Sequence, residues 1–160
     1  MRRRAPTRRA APARVAPLTT RPPPPHCTAP HPVSPPLFPQ GGAAFARGDL
    51  DDAIAAFGRA VALAPASATA LASRANRAAA LLKAGRWGEA EADCSAILAQ
   101  LALGEGDEAG ATARRKALFR RASARAQLDL RREAAADVAL LLAEEPGNAA
   151  ALALKARLEA

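Results

Sequence analysis

A small apolar residue recurs along this chain at a fixed place between a turn and a larger apolar side chain. Ala53, Ala90 and Ala134 each lie five residues after a turn residue (Gly48, Gly85, Asp129) and four before Phe57, Cys94 or Val138. Pro65 and Pro146 close the first and third copies, each twelve residues after its alanine. The alanines stand 37 and 44 residues apart, so a unit of roughly 34 residues carries short insertions. A helix–turn–helix unit of that length cannot bury its own apolar face and must stack on copies of itself.

Turn signals divide residues 41–160 into seven helical segments. Gly41–Arg47 is the remnant of a first helix, ended by Gly48. Asp49 is expected to cap the second, with Asp51 and Asp52 favouring its dipole, and that helix runs to about Ala64. The third spans Ala68–Ala84 and the fourth runs from Trp87 to about Leu103. Residues Gly104–Gly110 read as a loop by composition. Ala113–Leu128 and Arg131–Ala143 form the third pair, and Asn148 caps a last helix to Ala160 that solvates the end of the stack.

Composition supports an all-α class. Residues 41–160 hold 41 alanines and many leucines, the best helix formers. A core of Ala and Leu suits closely packed helices, not a sandwich or barrel of β-branched and aromatic residues. The net charge of +8 misleads about the fold. Residues 1–40 carry seven Arg and no acidic residue, whereas residues 41–160 carry 16 Lys and Arg against 15 Asp and Glu. A nearly neutral helical domain argues against nucleic acid as a partner.

The first forty residues read as a disordered tail, because they hold twelve of the fourteen prolines and no helical or strand period. Three origins stay open. It is a flexible terminus; or an Arg-rich organelle transit peptide; or mis-joined sequence. For the last, Val33–Gln40 uses residues with pyrimidine-rich codons and ends on a Gln codon, as a translated intron end does. His26, Cys27 and His31 supply three potential metal ligands, but with no fourth ligand and no fold to hold them no metal is expected. No run of 18 apolar residues exists, so no membrane span is expected. Two cysteines give no disulfide framework, which suits the cytoplasm, and Cys94 reads as a small core residue.

An enzyme is not expected. Residues 41–160 contain no His, no paired Cys, no phosphate-binding Gly-rich loop and no nucleophile elbow. A monomer without a cofactor is the reading.

Residues 41–160 resemble the tetratricopeptide repeat (TPR) family. Gly41, Phe45, Gly48, Ala53, Phe57, Ala60 and Pro65 carry the first copy, and Asn76, Ala78, Gly85, Trp87, Ala90 and Cys94 the second. Lys116, Phe119, Arg120, Ala122, Ala134, Pro146 and Asn148 carry the third. The resemblance implies a right-handed α-α superhelix of three helix pairs (about 41–67, 71–104 and 115–148) and a capping helix over 148–160. The wording around Asn76 and Lys116 is similar to co-chaperone modules that hold the acidic C-terminal tails of heat-shock chaperones.

A peptide ending in Asp presents two carboxylates at one point, which calls for cations and amides converging in one groove. Lys116 and Arg120 are four apart and share a helix face. The resemblance makes that face the concave one and places Asn76 opposite it, with Lys83 seven residues further along the same stripe. It also implies two further positions on the first helix, where this chain has Phe38 and Gly42, and Pro35, Pro36 and Pro39 are expected to fray that helix. The function implied is an adaptor binding a heat-shock chaperone C-terminal peptide, with one clamp wall impaired. The alternative is a scaffold for another protein segment. Arg114, Arg115, Lys116, Arg120, Arg121 and Arg125 also admit a plainer reading as one solvated basic face, or as a weak anion patch.

Overall fold

Among the described residues seven helices follow one another in chain order, and the recurring signal marks the turn inside each helix pair. The computed structural model describes residues 37–103 and 108–160, and the readings placed on residues 1–36 lie outside them. The helices are α1 Leu37–Arg47, α2 Leu50–Leu63, α3 Ala68–Lys83, α4 Trp87–Ala102, α5 Glu108–Gln127, α6 Arg131–Glu144 and α7 Ala149–Glu159. The three turn residues share one cause. Gly48, Gly85 and Asp129 all adopt positive φ (88°, 74° and 60°), which lets the chain reverse from one helix of a pair to the next.

Each helix packs on its neighbours in sequence, and the odd-numbered ones also meet one another: α1 with α3, α3 with α5, α5 with α7. Among the described residues α2, α4 and α6 make no such contacts with each other. Four helices lie close along one side while three splay apart on the other, so the stack curves and its inner face is α1, α3, α5 and α7.

The repeated alanines are the tightest points of the stack. Ala53, Ala90 and Ala134 are each 0% exposed. Four residues on from each, the side-chain size varies, and the facing inner helix varies in the opposite sense. Phe57 is matched by Gly41, where an added Cβ would sit 2.6 Å from the ring. At the corresponding places Cys94 goes with Ala78 and Val138 with Ala122, all buried. Burial pushes the Cys94 thiol up to about 12, so it packs as a neutral, small apolar group.

Two boundaries differ from the sequence reading. α1 begins at Leu37 rather than Gly41, with Pro39 as its third residue. The first four amides of a helix have no intrahelical acceptor, so a proline there forfeits nothing. The described helix is therefore not frayed at Pro39, and Gly41 and Ala44 bury it against α2. α5 begins at Glu108, five residues before the expected start, and the carboxylate in its first turn favours the helix dipole. The cap of α2 differs too. Asp49 stands at the N-cap position, but its side chain makes no cap hydrogen bond and instead accepts from Arg47 Nε at 2.8 Å. Ser67 and Asn148 do cap, accepting from the amides of Ala70 and Ala151.

Two stability changes follow. Gly41→Ala gains about 1 kcal/mol of helix propensity but overpacks the Phe57 ring, an effect of about 1–3 kcal/mol. Urea unfolding is expected to show a net loss, and the same change in a Phe57→Val background is expected to be neutral or stabilising. Ser73 Oγ is buried without a hydrogen-bond partner, and Ala117 occupies its place one repeat later. Ser73→Ala is expected to stabilise by about 1 kcal/mol in thermal melting.

Candidate functional site: the inner groove

The basic residues of α5 do two different jobs. Arg121 donates from Nε and Nη2 to both oxygens of Asp137 on α6 (2.9 and 2.6 Å) and reaches Ser95 on α4. Arg125 bonds Asp137 at 3.0 Å and Glu91 on α4 at 2.8 Å. Asp137 is 2% exposed. One repeat earlier, Arg77 makes the same fork to Asp93 (2.7 and 2.5 Å) and lies over Gly58 on α2. The hydrogen bond to each aspartate, more than any other factor, raises the Arg77 and Arg121 guanidiniums above their ordinary range. These arginines fill junctions between three helices and link outer helices that do not touch each other.

Arg121 and Arg125 therefore do not belong to a solvated basic face. Arg114 pairs with Glu144 at 2.8 Å, and Arg115 lies 3.0 Å from both Glu108 and Glu145. That leaves Lys116 and Arg120 as the α5 cations without a carboxylate partner among the described residues. The missed signal was legible: Arg77 and Asp93 are 16 apart, as are Arg121 and Asp137, and the two pairs repeat at 44 residues.

Lys116 and Arg120 both line an open cavity of about 410 Å³ between α5 and α7, with Thr112, Phe119 and Glu145. Arg120 also crosses to α3, where its Nη1 donates to the Ala75 carbonyl at 2.8 Å. Asn76 is the next residue of α3 and is half-buried on it. Lys83 lies elsewhere, with Nζ 4.5 Å from the centre of the Phe45 ring on α1, a cation–π contact. The structure thus puts Lys116 and Arg120 on one cavity wall, ties Arg120 to α3 one residue before Asn76, and sets Lys83 toward the α1 end. On α1, Gly42 is exposed, and a Cβ there would meet nothing within 4 Å. Among the described residues no helix is long and apolar enough to cross a membrane, and no group of three metal-ligating side chains is present.

No family model matches the chain, and no curated protein does. Solved structures do. The TPR domain of Arabidopsis OM64 is 30% identical with a TM-score of 0.63, over 76% of this chain and 90% of that one. The second TPR domain of human RPAP3, in complex with the HSP70 peptide SGPTIEEVD, is 29% identical with a TM-score of 0.65, over 78% and 93%. The first TPR of Spaghetti (RPAP3), bound to the HSP90 peptide SRMEEVD, is 26% identical with a TM-score of 0.65, over 77% and 87%. The chain belongs to the tetratricopeptide repeat family.

The two sets of cations should separate in stability measurements. Asp137→Ala leaves two guanidiniums short of a buried partner and is expected to cost about 3 kcal/mol in chemical unfolding. Lys116→Ala touches no ion pair and is expected to leave the unfolding midpoint unchanged.

Proposed function

We propose that this chain is a non-enzymatic adaptor whose inner groove holds the acidic C-terminal peptide of a heat-shock chaperone. One observation carries the reading: α5 has six cations, and the two without a carboxylate partner among the described residues line one cavity, one of them bonded across to α3. An ammonium and a guanidinium on one cavity wall suit a terminal Asp with its two carboxylates. Two RPAP3 domains similar to this chain carry HSP70 and HSP90 peptides ending in EEVD, which supports that ligand class. Lys83 stands at the α1 end of the groove, where it would meet an acidic residue further up the peptide.

A second reading is a scaffold for some other protein segment. It is supported by Gly42, which offers no side chain where the family resemblance calls for a polar one.

Calorimetric titration of SRMEEVD into the 160-residue chain separates them. The clamp reading expects binding that weakens with salt. Lys116→Ala, Arg120→Ala and a C-terminally amidated peptide should each weaken it at least about tenfold. Gly42→Asn, for which there is room, should tighten it. Equal affinity for the free and amidated peptides would leave the scaffold reading standing.

A further inference from the structure

The cavity that Lys116 and Arg120 line has one carboxylate in its wall, Glu145. An ionised carboxylate sharing a cavity with an ammonium and a guanidinium is drawn to them unless something holds it. Glu145 is held on both oxygens. Arg115 Nε lies 3.0 Å from Oε1, and Asn148 Nδ2 donates to Oε2 at 2.8 Å. Arg115 is fixed in turn, its Nη2 donating to Glu108 at 3.0 Å and to Thr112 at 3.1 Å.

Comparison between repeats shows that the pair is particular to the third. Forty-four residues earlier the positions of Arg115 and Glu145 hold Leu71 and Leu101, both half-buried. Only the third repeat, beside the two unpaired cations, carries charges at these places.

We propose that Arg115 is a positioning residue for the groove: it keeps Glu145 off Lys116 and Arg120 and so leaves them open to an incoming acidic ligand. Its nature as a peptide site rests on the reading above. Without Arg115 the carboxylate swings to Lys116 and competes as an internal mimic of the ligand. Arg115 lines the same cavity, and the role assigned to it here is the one it exerts through Glu145. A cation that acted only by its own charge would matter equally whether or not Glu145 were present.

The test is a double-mutant cycle of Arg115→Leu and Glu145→Leu, the double variant reproducing the leucines of the second repeat. Thermal melting first establishes that all four proteins fold. Titration with SRMEEVD is expected to show about tenfold weaker binding for Arg115→Leu, and a return to within about twofold of the starting affinity in the double variant. Additive effects, with Arg115→Leu losing as much in the Glu145→Leu background as in the unaltered chain, would overturn the inference. A second readout needs no peptide: acylation of Lys116 by an amine-reactive ester, followed by mass spectrometry. It is expected to slow in Arg115→Leu and recover in the double variant. Unchanged Lys116 labelling across all four proteins also overturns the inference. If SRMEEVD does not bind even the unaltered chain, the chaperone reading fails and the labelling series alone decides the role of Arg115.

Discussion

The distance at which neighbouring helices can pack controls everything else in this domain. Ala53, Ala90 and Ala134 have no exposed surface, and a larger side chain at any of them would push a helix pair apart. Because these places are small, the bulk that fills each pair sits one turn away, as Phe57, Cys94 or Val138, opposite a glycine or an alanine. Close approach along the inner side then brings α1, α3, α5 and α7 into contact, while α2, α4 and α6 stay apart. The curvature, and with it the existence of a groove, is a consequence of which residues are small.

Small residues leave a second problem at the places where three helices meet. Alanine cannot reach across such a junction, whereas an arginine can lay its apolar stem along one helix and place its fork on another. Arg77, Arg121 and Arg125 do this, and each ends on a carboxylate. Pairing there makes the charge part of the scaffold, since removing one partner would strand the other in a half-buried site. Cations inside the groove are treated in the opposite way. Lys116 and Arg120 sit on the same helix as Arg121, yet no described carboxylate neutralises them. The two sets on α5 therefore differ by the direction each side chain faces: junction cations are satisfied internally, while Lys116 and Arg120 have no carboxylate partner among the described residues.

Most of the fold was legible because its signals are local. A left-handed turn residue, an alanine five places on and a bulky residue four further describe one helix pair, and each is set within ten residues. Helix starts were harder. Pro39 reads as a breaker, yet the structure uses it where no amide bond is lost, and Glu108 opens α5 inside a stretch that composition assigns to a loop. The groove was partly legible: spacing puts Lys116 and Arg120 on one face, but that Lys83 lies over Phe45 depends on which way a long side chain turns. The buried aspartates were missed for a different reason. Asp93 lies between Ala92 and Cys94 and Asp137 between Ala136 and Val138, and their burial depends on arginines sixteen residues away that no local pattern reveals.

The first repeat is where scaffold and site come apart. Its packing is sound: α1 spans three turns, and Gly41 accepts the Phe57 ring that no larger residue would accommodate. The junction arginine is absent there, Gln40 standing where Arg77 and Arg121 stand, and Ala56 replaces the aspartate. Gly42 is different in kind. It is exposed, its surroundings are open, and nothing in the packing of α1 on α2 asks for a glycine. Gly41 and Gly42 are neighbours in sequence, yet one is demanded by the core and the other is only a missing side chain on the groove. What sets the first repeat apart on its inner face is therefore a matter of side chains on a helix that packs as the others do, and the cations on α5 keep the geometry that the stack imposes on them.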